Sequence, residues 1–231
     1  INCIKYAPDN RDIYFELTRL FIESKKLAEA RDVVASMPET AKNDLRGLEC
    51  TGYAKEGLGD DDEAAALAEQ MLSLRENYPA ALNLLGVLSY KKGAKEEAAL
   101  YFQRAIDADP GYGEAYTNLG VINWGLGKKD AAVNCLKKGF MLSPTVPDTS
   151  AIYYSVIFAL GNFSEAESDF VEVCRLNPNH KNLAFLYIDL LIQQEKYELA
   201  LLKIEDALAL FGLDEGTLQA ALAVREKIGP L

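Results

Sequence analysis

The chain has 231 residues, 49% of them apolar, with 24 Lys and Arg against 35 Asp and Glu and a formal net charge of -11. That composition is ample for a buried core, repels a nucleic-acid phosphate backbone where no basic stripe relieves it, and leaves no run of about 18 apolar residues to span a membrane. One histidine, His180 in an "NPNHKN" turn, and four dispersed cysteines without a CxxC pair (Cys3, Cys50, Cys135, Cys174) exclude triads and multi-histidine metal sites.

From the N-terminus, "INCIKYAP" reads as the tail of a helix closed by Pro8, so residues 1–10 are the end of an upstream unit cut at Ile1. Six units follow over 11–213, beginning near Arg11, Leu45, Pro79, Gly113, Pro147 and Lys181. Their period is 34: Pro110, Pro144 and Pro178 keep it, as do Gly59, Gly93, Gly127 and Gly161, and Ala30, Ala64, Ala98, Ala132, Ala166 and Ala200. Each unit carries two apolar stripes of helical spacing. In the third, Leu82, Leu85, Gly86 and Ser89 are followed after "KKGAKEE" by Ala98, Phe102 and Ala105, which predicts a helical hairpin. Gly86, Gly120 and the alanines allow close helix approach, the turn glycines suit a left-handed helix end, and the prolines close the second helix. The first two units and the last depart from the pattern, with Glu76 for the closing proline and Glu195 for the turn glycine. Residues 214–231 form a predicted capping helix, with Leu218, Ala221, Leu222 and Ile228 covering the last unit and Pro230 ending it. The acidic run "GDDDEAAA" at 59–66 reads as helix capping and dipole compensation rather than a cation site. The cysteines read as reduced, packed thiols ahead of a disulfide or zinc, and His180 as a solvated loop residue.

Glycine at the turn, alanine in the second helix and proline at the end resemble the tetratricopeptide repeat family. On its pattern W-x2-L-G-x2-Y, A-x3-F-x2-A, P, the third unit supplies Leu82, Leu85, Gly86, Ser89, Ala98, Phe102, Ala105 and Pro110. The fourth supplies Tyr116, Leu119, Gly120, Asn123, Ala132, Leu136, Gly139 and Pro144. The fifth keeps Ala166, Phe170 and Pro178 but has Tyr153-Tyr154 in place of Leu-Gly, which bears on its helix spacing. The resemblance implies an all-α, right-handed superhelical solenoid of helix-turn-helix repeats.

It also implies that first-helix positions 2, 5, 9 and 12 line a concave groove. Position 12 reads Ile22, Glu56, Tyr90, Trp124, Phe158, Ile192, so the centre is apolar and aromatic, while Glu49 at position 5 and Arg19 and Asp189 at position 9 put charges of mixed sign towards the ends. The candidate peptide-binding residues are Tyr53, Asn83, Val87, Tyr90, Thr117, Asn118, Val121, Trp124 and Phe158. Position-12 aromatics in the family also pack on the neighbouring repeat, and the asparagines can equally satisfy nearby backbone, so both readings stand. The lysines, arginine and asparagine of the family's carboxylate clamp are absent from every register. The expected function is a non-catalytic scaffold for a protein or peptide partner, with no cofactor, metal, nucleic acid or membrane insertion. The alternative is a substrate-positioning or regulatory region of a larger enzyme, such as a bacterial glycosyltransferase. An uncovered end repeat offers a route to homo-oligomers. The expected compartment is the cytoplasm, the periplasm staying open because the chain begins without methionine.

Overall fold

The computed structural model describes residues 4, 6, 9–213 and 215–228. It is 81% helical, with 14 helices and no strand among the described residues. Cys3, Pro8 and Pro230, and with the last two the expected helix ends, lie outside the described residues. The chain divides into two compact units, Ile1–Ile122 and Asn123–Leu231, each built from stacked helical hairpins.

The first unit contains α1 (Arg11–Glu23), α2 (Leu27–Ala35), α3 (Glu39–Lys42), α4 (Leu45–Leu58), α5 (Asp61–Leu74), α6 (Pro79–Lys91), α7 (Lys95–Ala108) and most of α8 (Gly113–Gly125). Local chemistry starts and stops these helices. The side chain of Asn10 accepts from the Asp12 amide at 3.1 Å and that of Asp44 from the Gly47 amide at 2.8 Å, each meeting an amide that its helix leaves unpaired. Pro79 takes the first turn of α6, where a missing N–H costs nothing. The turns end in left-handed residues, Gly59 at φ +85° and Gly93 at φ +82°. The same turn forms without glycine one period earlier, at Lys25 (φ +57°), so the turn geometry belongs to the hairpin and glycine only eases it. The short α3 interrupts the second helix of the first hairpin. Pro38 precedes it, and Met37 and Ala41 pack with Tyr14, Phe15 and Val33 in the local core.

The alanines of the period occupy the tightest positions. Ala30, Ala64 and Ala98 are 0% exposed in the first unit, as are Ala132 and Ala200 in the second. Gly86 in α6 faces Phe102 in α7, and a Cβ built on it would lie 2.5 Å from Cε1 of that ring. The small residue is therefore what lets the two helices of this hairpin meet.

The second unit contains α9 (Lys129–Leu142), α10 (Pro147–Leu160), α11 (Phe163–Leu176), α12 (Lys181–Gln193), α13 (Tyr197–Phe211) and α14 (Glu215–Ile228). Tyr153, standing for the expected leucine, is 1% exposed and stacks on Phe140 at 5.1 Å between ring centroids. Its hydroxyl donates to Asp169 Oδ2 at 2.8 Å, and Lys137 Nζ lies 2.8 Å from Oδ1 of the same buried carboxylate. The polar handle of the larger side chain is thus met inside the core, as a buried hydroxyl requires. Tyr154, standing for the expected glycine, donates its hydroxyl to Asp189 in α12.

Three expectations need correction. The buried stripe of α14 runs through Thr217 and Val224, while Leu218 and Leu222 are 50% and 47% exposed, because the helix is rotated about one residue from the expected face. His180 is half-buried, stands at the N-cap of α12, and keeps Nδ1 shielded without a hydrogen-bond partner, so it is not a solvated loop residue. In "GDDDEAAA", Asp60 makes no side-chain cap at α5. Asp61, Asp62 and Glu63 do fill the helix's first turn, as dipole compensation expects, and ion pairs add to it, Lys55 reaching Asp60 at 3.1 Å and Glu63 at 2.7 Å, and Lys91 reaching Asp61 at 2.8 Å. Cys50, Cys135 and Cys174 are free and half-buried, and burial pushes the Cys50 thiol up to about 12 and the Cys174 thiol up to about 11.

Candidate functional site

In the first unit, α4, α6 and α8 bring together side chains some 30 residues apart in sequence. Asn118 Nδ2 donates to Asn83 Oδ1 at 2.9 Å, and Asn83 Nδ2 donates to the Tyr53 hydroxyl at 2.9 Å. That hydroxyl donates to the Ala80 carbonyl at 3.1 Å and lies 3.2 Å from the hydroxyl of Tyr112, which precedes α8. Three of the candidate residues, Tyr53, Asn83 and Asn118, therefore form one hydrogen-bonded line across three first helices. Asn83 is 1% exposed, with its carboxamide oxygen and nitrogen both engaged inside the protein. Thr117 is buried and donates to the Gly113 carbonyl at 3.3 Å.

Two carboxylates border this line. The Tyr112 hydroxyl donates to Glu114 Oε2 at 3.2 Å, and the Tyr78 hydroxyl donates to Glu49. Both acids are half-buried, and loss of water raises the affinity of each for its proton above the ordinary carboxylate range. The charge of Glu49 adds to the shift at Glu114. The Tyr53 and Tyr112 hydroxyls are held neutral by the same burial. Tyr78, Tyr112 and Glu114 were not among the residues singled out from the sequence. Glu114 holds repeat position 2, which the groove reading named as inward-facing, but neither tyrosine falls on a groove position.

On the same helices, Val87 in α6 and Val121 in α8 are half-buried and Tyr90 in α6 is 43% exposed. In the second unit, Trp124 is half-buried. Phe158 is 54% exposed, yet it also meets Phe163 edge-on at 5.8 Å and Tyr154 at 6.4 Å, so packing and exposure coexist in this residue. Among the described residues no group of three or more His, Cys, Asp or Glu side chains could hold a metal ion, and no helix is long and apolar enough to cross a membrane.

Stacked hairpins with a shared 34-residue period, small residues at helix crossings and side chains aligned along the first helices define a helical-repeat interaction scaffold. Tetratricopeptide repeat models match residues 51–113 and 158–216, and a second model of that repeat matches 113–146, together more than half of the chain. The chain belongs to the tetratricopeptide repeat family. No curated protein matches it in sequence. Among solved structures it is similar to Pseudomonas aeruginosa pilF, at 15% identity and a TM-score of 0.52 over 92% of this chain and 96% of that one. It is also similar to the C-terminal part of a repeat protein from Cytophaga hutchinsonii, at 20% identity and a TM-score of 0.52, covering 85% and 78% of the two chains. A third similarity is to the Cut9-Hcn1 structure of the APC/C, at 14% identity and a TM-score of 0.56, covering 96% of this chain and 44% of that one. At these identities the likeness is one of fold.

Proposed function

We propose that this protein is a non-catalytic adaptor that captures an extended peptide or protein segment along the first-helix face of its repeats. The observation that carries the reading is the make-up of that face in the first unit. Tyr90 and Val87 stand on α6 with Asn83, and Val121 stands on α8 with Asn118, so exposed and half-buried apolar side chains share the helices that carry the hydrogen-bonded line of Tyr53, Asn83 and Asn118. A line whose polar groups bond one another is pre-organised, so a ligand need not order it on binding. Asn83 acts there as a positioning residue, and the accessible contacts come from the aromatic and aliphatic side chains on the same helices. Exposed Phe158 and half-buried Trp124 extend the same chemistry to the second unit, considered by itself.

The test is capture of partners from the native extract by the immobilised chain, quantified by mass spectrometry for wild type and the Tyr90→Ala, Trp124→Ala double variant. Truncation of an aromatic hot spot costs about 2 kcal/mol, roughly a thirty-fold loss of affinity. Loss of specific partners by a variant with unchanged helical circular dichroism is the expected result. Full retention by a folded variant refutes the assignment of the face.

A further inference from the structure

We propose that the second unit carries, between α11, α12 and α13, a site for a small amphipathic acid, an aliphatic or aromatic body bearing one carboxylate. The site is a cavity of about 590 Å³ walled by all three helices. Small-molecule pockets typically measure about 300–1,000 Å³ and are mostly apolar with a few placed polar groups. Here Ala184 and Ala207 leave space that larger side chains would fill, and Val171, Leu210 and Phe211 give the wall its apolar surface. Tyr187 lines the same cavity and is 6% exposed, yet among the described residues its hydroxyl has no hydrogen-bond partner. Buried hydroxyls are ordinarily paired, so a polar group of a bound molecule is what can satisfy this one. Burial, with the nearby charge of Glu167, keeps the hydroxyl protonated and therefore a donor.

The charges of the wall select the sign of that group. Lys203 Nζ lies 2.7 Å from Oδ2 of Asp206, an exposed carboxylate one turn further along α13. Arg175, in the last turn of α11, is exposed and pairs with no carboxylate among the described residues. The wall therefore sets two cations against one acid, in a chain whose net charge is -11. A carboxylate gains a charge-assisted hydrogen bond from the guanidinium and a further donor in the tyrosine hydroxyl, whereas an ammonium meets like charge and a hydroxyl already committed as a donor. The Cys174 thiol in the same wall reaches the Leu183 carbonyl at 3.6 Å, and burial pushes it up to about 11, so it contributes polarisable apolar surface rather than a nucleophile.

Isothermal titration calorimetry of the full chain with hexanoate, octanoate and decanoate, and with octylammonium as the matched cation, tests this. Wild type, Arg175→Gln and Tyr187→Phe are compared. Arg175 is exposed and phenylalanine keeps the ring of Tyr187, so both variants retain the fold, which thermal melting checks. The expected result is one acid bound per chain, with affinity rising about three- to four-fold for each methylene buried. Each variant should bind octanoate about ten-fold more weakly, and octylammonium should not compete with it. Octylammonium bound as tightly as octanoate overturns the choice of an acid. Acids that bind both variants as well as wild type, or that give no binding at millimolar concentration, overturn the site.

Discussion

Replacing Gly86 with alanine isolates the close approach on which the α6–α7 hairpin depends. The added Cβ would lie 2.5 Å from Phe102 Cε1, 2.7 Å from Cδ1 and 3.0 Å from Cζ. Carbon atoms in contact sit about 3.5–4.0 Å apart, so the overlap is about 1 Å. The ring cannot step aside freely: Phe102 is 2% exposed and packs in a core with Ala98 and Ile122, flanked by Val87, Ala99 and Leu119. Overpacking of this kind costs about 1–3 kcal/mol, while alanine is better than glycine inside a helix by about 1 kcal/mol. The net expectation is a loss of about 1–2 kcal/mol, read by urea denaturation followed by far-ultraviolet circular dichroism. Gly125→Ala is the control. It stands at the end of α8 with nothing within 4 Å of the added Cβ, so it should leave stability unchanged or raise it by up to about 1 kcal/mol. In a double-mutant cycle, Phe102→Leu should cost less in the Gly86→Ala background than in wild type, since the smaller side chain makes room. A Gly86→Ala protein as stable as wild type, or strict additivity with Phe102→Leu, would refute the argument that this contact sets the helix spacing.

Glu195 holds a left-handed turn at φ +59° where its repeat counterpart Gly161 has φ +71°, so Glu195→Gly should stabilise the protein by about 1 kcal/mol, seen as a higher melting temperature. An unchanged or lower melting temperature would show that the turn is relaxed with a side chain present. For Glu49 and Glu114, burial raises the folded proton affinity above the ordinary value of 4.5, so the folded state holds more protons than the unfolded one between that value and the raised one. Their contribution to stability is therefore greatest below about pH 4.5 and declines as pH rises through the raised values. The Glu49→Gln, Glu114→Gln protein should melt higher than wild type at pH 7, with the gap closing below pH 4.5; a gap that does not vary with pH would contradict burial as the cause.

The repeat and its hairpins were legible in the sequence because they rest on contacts between near neighbours. An apolar stripe at i, i+3 and i+4 has one low-energy partner face, and a 34-residue recurrence of alanine, glycine and proline marks where helices touch, turn and stop. Hence Gly86 and the alanine series could be read as close-approach residues before any coordinates, and Gly86 does face a ring that a methyl group would strike. The exceptions were local too: Lys25 and Glu195 take the glycine conformation because hairpin closure outweighs the strain of one residue.

What only the tertiary structure decided lies between residues distant in the chain. Tyr53, Asn83 and Asn118 were each named from the sequence as facing a ligand, but their bonding to one another spans 30 and 35 residues and depends on the spacing and rotation of separate helices. Tyr78 and Tyr112 sit in the approaches to α6 and α8, off the groove positions, and the meeting of Tyr78 with Glu49 across 29 residues and of Tyr112 with Tyr53 across 59 follows no helical period. The rotation of α14 that buries Val224 and exposes Leu222 has the same origin. Periodicity shows that a helix has an apolar side, whereas the exact face it buries, and which polar groups meet there, is set by the neighbour it packs against, because a turn of one residue changes every contact while leaving the pattern intact.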